Sequence, residues 1–235
     1  MSGPITAFDA STLATFPATL ELLEERGILT STVTPDRLGP FLSAAQRAVV
    51  DQIMDLDPRD YCVHTPYAGD LEPVPADLVK VVGQQYTEHG QQQTIGEKHA
   101  PRHVFNAYVR MNAAFMAEHR KRRLLIQSCY RSPAYQIVVF IDWLVSVYAG
   151  DIARTIRHAS PPRYSQHTIA SKAAIDFRNI DGSPSDGNLE GFKDTVEYAW
   201  LRQHGEEFSF YESWPEGNKY GMRAEPWHWQ YRSST

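Results

Sequence analysis

Two short stretches, Ala173-Ala-Ile-Asp-Phe177 and Glu225-Pro-Trp-His-Trp229, most restrict how this chain can fold. Both alternate with a period of two, and successive side chains of a β-strand point to opposite faces. Ile175 and Phe177 therefore face a core, while Ala174 and Asp176 face the other side. Ala174 is small and leaves room for a ligand beside Asp176. In the second stretch Trp227 and Trp229 share one face and His228 takes the opposite one. Strict alternation would set Glu225 on the face of His228's neighbours. Pro226, however, has no N–H and biases the residue before it out of the helical region. Glu225 is expected in the turn that enters the strand, free to lean over whatever His228 holds. The tryptophans read as core packing.

Asp176 and His228 gain a third candidate in His167, nine residues before Asp176. Two imidazoles and one carboxylate suit a divalent zinc. Three protein ligands with one open tetrahedral position is the catalytic pattern, since structural sites use all four. Glu225, three residues before His228, is close enough to act on a water held there. The remaining histidines, His64, His89, His99, His103, His119, His158 and His204, have no ligand-like neighbour in the sequence and read as structural or solvated. The two cysteines, Cys62 and Cys129, make neither a disulfide framework nor a cysteine zinc site, and are expected as free thiols.

At these residues the chain resembles a family, the zinc D-alanyl-D-alanine carboxypeptidases of the VanY type, within the hedgehog/DD-peptidase fold. Ser165-Gln-His167 and Glu225-Pro-Trp-His228 match its two metal motifs. The stretch from His167 to Asp176 is two residues longer than the family pattern, and Lys172 stands where the family has glycine. A two-residue insertion in Thr168–Ser171 restores the register, with a strand bulge as its expected form. Ser128-Cys-Tyr-Arg-Ser-Pro-Ala-Tyr-Gln136 and Phe208-Ser-Phe-Tyr-Glu-Ser-Trp-Pro215 match two further motifs, the latter without its glycine. The resemblance covers Arg102 to Arg232.

The resemblance implies an α+β fold, a small antiparallel sheet flanked by helices. A helical extension, residues 1–101, would precede a catalytic core, residues 102–235, the two forming one compact domain. It implies one Zn2+ per chain on His167, Asp176 and His228, with Glu225 as general base. Arg131 would assist and hold the substrate carboxylate by its forked donors. Tyr130, Gln136 and Ser165 complete the substrate-binding set. For Gln136 a capping role stands beside hydrogen bonding to the peptide, and Ser165 could equally brace His167. The implied reaction is hydrolysis of peptidoglycan stem peptides, first as a D,D- or L,D-carboxypeptidase. A peptidoglycan endopeptidase or endolysin on the same site is one alternative, and a non-catalytic zinc-containing binding module is another. The Glu-x-Trp-His form favours the carboxypeptidase branch, and the intact Glu225 argues against a mere binding module.

Composition sets the outer bounds. A chain of 235 residues, 42% hydrophobic and 22% charged, is long enough for a real core and reads as an ordinary soluble globular protein. A net charge of −5 argues against a nucleic-acid partner. No apolar run reaches the ~18 residues of a membrane span. The Met1–Ala10 start lacks the basic and apolar regions of a secretory signal. Either a leader was removed, or export uses another route, or the protein acts inside a cell; the family resemblance implies work at the bacterial cell wall, periplasmic or extracellular. The run Lys121-Arg122-Arg123 reads as a solvated helix end.

Periodicity predicts helices over Ser11–Leu29, stopped by Gly27, and over Thr34–Met54. Others are expected over Phe105–His119, Pro133–Tyr148 and Leu189–His204, the last with Phe192, Val196, Ala199 and Trp200 inward. Strands are expected at Leu124–Ile126 and Phe208–Trp214 besides the two above. Arg59–Pro75, Thr94–Arg102 and Asn179–Asn188 read as loops.

Overall fold

The computed structural model describes residues 5–185 and 188–233. The first four residues of the N-terminal reading, and residues 186–187 of the loop expected over Asn179–Asn188, lie outside the described residues. In chain order the helices are α1 (Ala10–Leu13), α2 (Phe16–Glu25), α3 (Pro35–Leu38), α4 (Ala44–Met54), α5 (Arg102–Glu118), α6 (Pro133–Asp142), α7 (Ile152–Ile156) and α8 (Val196–His204). The strands are β1 (Leu78–Val81), β2 (Gln85–Glu88), β3 (Gln91–Thr94), β4 (Lys98–Pro101), β5 (Leu125–Ser128), β6 (Ala174–Arg178), β7 (Phe210–Glu212) and β8 (His228–Tyr231). This is the mixed class expected, small antiparallel sheets with helices. The chain divides into two compact units, each built from three stretches.

The first unit comprises Met1–Val74, Arg131–Ile169 and Asn218–Arg223 and is helical. The single helix expected over Ser11–Leu29 is two helices, α1 and α2. Pro17, in the first turn of α2, brings no N–H to continue the ladder from α1. Gly27 does end α2, at φ +64°, in the left-handed region that glycine adopts without a Cβ penalty. The expected Thr34–Met54 helix is likewise broken, at Gly39-Pro40. It restarts at Ser43, whose hydroxyl accepts the Gln46 N–H at 3.2 Å while the Gln46 side chain accepts the Ser43 N–H at 2.9 Å. Gln46 is buried, and its amide nitrogen also donates to Thr15 at 3.0 Å and Thr19 at 2.8 Å, tying α4 to α2. Leu23, Ile28, Val33, Leu38, Ala134 and Val138 form the apolar centre. Ser132 caps α6, which passes into a π-helical turn at Trp143–Val147 and does not run on as α-helix to Tyr148.

The second unit comprises Pro75–Tyr130, Ala170–Gly217 and Ala224–Thr235. Its four-stranded antiparallel sheet has the order β5-β6-β8-β7. The apolar face packs Ile126, Ile175, Phe177, Phe210, Trp227 and Trp229 against α5 and α8. Along α5, Val104, Ala107, Tyr108, Met111 and Phe115 are buried at helical spacing. Thr195 caps α8, so the expected Leu189–His204 helix splits into a 3-10 segment, Leu189–Asp194, and α8. The inward set changes with it. Ala199 is exposed, and Glu197 is buried instead, bound by Arg122 at 2.6 Å.

Two hairpins replace the loop expected over Thr94–Arg102 and the undecided stretch before it. β1 pairs with β4 and β2 pairs with β3, the second nested inside the first. β5 would be a free edge of the main sheet, but Gln84 covers it. The Gln84 side-chain nitrogen donates to the Ile126 carbonyl at 2.8 Å, and its oxygen accepts the Ile126 N–H at 2.7 Å. One side chain thus stands in for a neighbouring strand, and a protected edge does not pair with other chains. Ile126 is fully buried, so Gln84→Ala leaves a donor and an acceptor unsatisfied. We expect a loss of about 2–3 kcal/mol in urea unfolding. An unchanged denaturation midpoint would show that water replaces the amide at no cost.

Candidate metal centre

The sheet register assembles half of the site. β6 and β8 run antiparallel with Asp176 directly opposite His228 and Ile175 opposite Trp229. Opposed residues on neighbouring strands share a face, with Cβ atoms ~5 Å apart. Asp176 and His228 accordingly meet on the face away from the core, Asp176 Oδ1 lying 2.7 Å from His228 Nδ1. Trp214, which leads out of β7, stacks on the His228 ring with centroids 6.1 Å apart and planes at 24°.

Glu225 stands where Pro226 was expected to put it, in the turn before β8. Its N–H donates to the Trp214 carbonyl at 2.9 Å and its carbonyl accepts the His228 N–H at 3.0 Å. This turn folds the carboxylate back toward the strand, so that Glu225 Oε2 lies 3.9 Å from His228 Nδ1.

His167 is held by its backbone. Its N–H donates to the Ser165 hydroxyl at 3.3 Å, and its carbonyl accepts the Arg131 N–H at 3.0 Å. The Thr168 hydroxyl donates to the carbonyls of Pro162 at 2.8 Å and Ser165 at 2.9 Å. The Ser165 hydroxyl thus lies against the His167 backbone. The extra length between His167 and Asp176 is not a strand bulge. It passes through buried Ile169 and a 3-10 turn, Ala170–Lys172, before β6 begins, and the sheet's register shift falls in β5 between Ile126 and Ser128.

His167, Asp176 and His228 each offer one ligand atom, and these atoms all lie within 4.8 Å of one another. All three are buried, as is Glu225. The donor set fits a divalent cation. Two carboxylates, Asp176 and Glu225, sit at 7% and 6% exposure. Charges removed from water call for a compensating charge, which a borderline metal preferring N and O donors supplies. Among the described residues no other His, Cys, Asp or Glu group converges in this way, so the other seven histidines stay outside any such cluster. Cys62 and Cys129 form no disulfide, and Cys129 is buried.

The expected substrate-binding residues separate. The Arg131 Nη1 donates to Gln136 Oε1 at 3.2 Å, and Gln136 Nε2 donates to the Ser160 carbonyl at 2.9 Å. Gln136 is 1% exposed. It is held at both ends of its amide and in turn orients the Arg131 guanidinium. Tyr130 is buried at 1% exposure, with its N–H on the His99 carbonyl at 2.9 Å. Reading the sequence missed the Arg131–Gln136–Ser160 chain and the Trp214 stack. The five-residue offset of Arg131 and Gln136 across the Ser132 cap is a signal for the first. Nothing local marks the second.

His167, Asp176 and His228 form a buried group that could hold a metal ion. The family model described as VanY, D-alanyl-D-alanine carboxypeptidase, matches residues 98–234, more than half of the chain, and the protein belongs to that family. A solved structure of the LdcB LD-carboxypeptidase, described for its peptidoglycan recognition, is 22% identical. It superposes with a TM-score of 0.51 over 74% of this chain and 77% of that one, and shares the fold. A vancomycin resistance D,D-pentapeptidase VanY in complex with Zn(II) is 17% identical, with a TM-score of 0.45, covering 72% of this chain and 82% of that one. No curated protein matches the chain.

Proposed function

We propose that the protein is a zinc-dependent carboxypeptidase that removes a C-terminal D-amino acid from peptidoglycan stem peptides. The observation that carries this is the convergence of His167, Asp176 and His228 within 4.8 Å beside the Glu225 carboxylate. One Zn2+ on these three residues would supply Lewis acidity at the scissile carbonyl and lower the pKa of a coordinated water to ~7. Glu225 takes the proton of the attacking water and passes it to the departing amine, as the C–N bond breaks and the new C–O bond forms. Its turn fixes the carboxylate for both transfers. The Arg131 guanidinium, aimed by Gln136, binds the free carboxylate that marks a peptide's C-terminus. The Ser165 hydroxyl holds the His167 N–H, and buried Tyr130 completes the proposed substrate-binding set.

These residues all fall in the 102–235 stretch, which we take as the catalytic core, with residues 1–101 as its extension. Such a substrate places the work at the bacterial cell wall, periplasmic or extracellular. No helix among the described residues is long and apolar enough to cross a membrane. Incubation with purified muropeptides, read by mass spectrometry, tests the reading. Loss of one terminal alanine is the expected product. Larger fragments would mean an endopeptidase, and unchanged muropeptides with bound zinc would mean a binding module.

A further inference from the structure

We infer that the cleft between the β2–β3 hairpin and the segment after α5 binds a phosphate-bearing, hydroxylated polymer, a sugar- or polyol-phosphate chain. The cleft has a volume of about 480 Å³, room for one or two such repeats. Arg120, Lys121, Arg122 and Arg123 form one wall, and Gln85, Thr87 and Gln92 line the other side.

The four cations are not equivalent. Arg122 turns inward, binding Glu197 at 2.6 Å and also Asp181, so its charge and that of Asp181 are spent within the fold. Arg120, Lys121 and Arg123 are exposed and form no ion pair among the described residues. The Lys121-Arg122-Arg123 run, which reads in sequence as one solvated helix end, is thus one structural arginine and two outward cations, with Arg120 beside them as a third. The negative end of the α5 dipole favours cations here, but it does not account for the wall they face.

That wall carries neutral hydrogen-bonding groups, and Asp181, the carboxylate among the lining residues, is paired with Arg122. On β2, Gln85 and Thr87 are exposed and Tyr86 and Glu88 are half-buried, so the two polar side chains share the outward face. Gln92 Nε2 donates to Gln85 Oε1 at 2.8 Å. This fixes both amides and leaves the Gln85 NH2 and the Gln92 carbonyl for a ligand. Amides opposite guanidinium groups suit a ligand with hydroxyls and anionic oxygens on the same repeat. Arginine forks match phosphate oxygens. A concave cleft suits a chain rather than a flat bilayer. The cleft uses no residue of the metal centre and does not depend on the peptidase reading.

Binding of the full-length protein to poly(glycerol phosphate) at low salt tests the inference. Neutral dextran, a single-stranded oligonucleotide and anionic vesicles serve as the other arms, with thermal unfolding to confirm that each variant is folded. Wild type should bind the polyol phosphate, lose it as salt rises, and ignore dextran. The Arg120→Gln, Lys121→Gln, Arg123→Gln triple variant should bind about a hundredfold more weakly, at ~1 kcal/mol per cation. The Gln85→Ala, Gln92→Ala double variant should lose about thirtyfold, at ~1 kcal/mol net for each of two neutral hydrogen bonds, which a bare charge patch would not show. Failure of wild type to bind, or a triple variant within threefold of it, overturns the site. Equal or tighter binding of oligonucleotide or vesicles overturns the assigned ligand class.

Discussion

Glu225→Gln should keep one zinc per chain and lose about 10²–10⁴ in turnover, the usual worth of general-base assistance. The amide has the shape of the carboxylate but cannot accept the proton. The turn that presents it runs through backbone groups, Glu225 N–H to Trp214 and Glu225 carbonyl to His228, which the substitution leaves alone. The metal ligands are likewise untouched, since Glu225 Oε2 stands 3.9 Å from His228 Nδ1 and outside the converging group. Turnover on a muropeptide and zinc by elemental analysis, measured on the same preparation, separate base from ligand. A variant with near-normal turnover would place the base elsewhere.

Loss of the metal should have the larger combined effect. Protein purified without chelator should carry about one zinc, and dialysis against a chelator should abolish hydrolysis and lower the melting temperature. Asp176, His228 and Glu225 are buried against each other, so the cation offsets a local negative excess. At a free zinc concentration a hundredfold above Kd, linkage contributes ~2.7 kcal/mol to the folded state. For a chain of this size that is a shift of roughly 5–10 °C. His167→Ala should lose both the metal and the shift, while its loop keeps its form through Thr168 and the Arg131 N–H. Absence of zinc in the native protein, with none regained on addition, would refute the metal reading and the hydrolysis proposed on it.

The elements legible in the sequence are those whose pattern is local. Alternation in 173–177 and 227–229 comes from the pleat, which sends neighbouring side chains to opposite faces whatever the rest of the chain does. It placed Ile175, Phe177, Trp227 and Trp229 in the core, as the structure has them. Pro226 put Glu225 in a turn by a steric effect on one peptide unit. Gly27 ended α2 for a comparable reason. The helix breaks at Pro17 and Gly39-Pro40 were equally local, but apolar periodicity running through them hid them until the missing N–H groups were counted.

Other features have no local cause. β3 is Gln91-Gln-Gln-Thr94, exposed at every position, so it shows no alternation, and only its partner β2 makes it a strand. Glu197 is buried, with Arg122, 75 positions away, as its partner. Gln84 closes a sheet edge because Ile126, 42 positions away, lies alongside. Asp176 and His228 were recognisable as candidate ligands, but their meeting depends on β6 and β8 pairing in one register. A slip of one residue would turn either side chain to the opposite face. Residue type and local sterics decide which groups can bind a metal. Long-range strand pairing, stabilised by the apolar contacts of Ile175 and Trp229 on the reverse face, decides that these groups share one place.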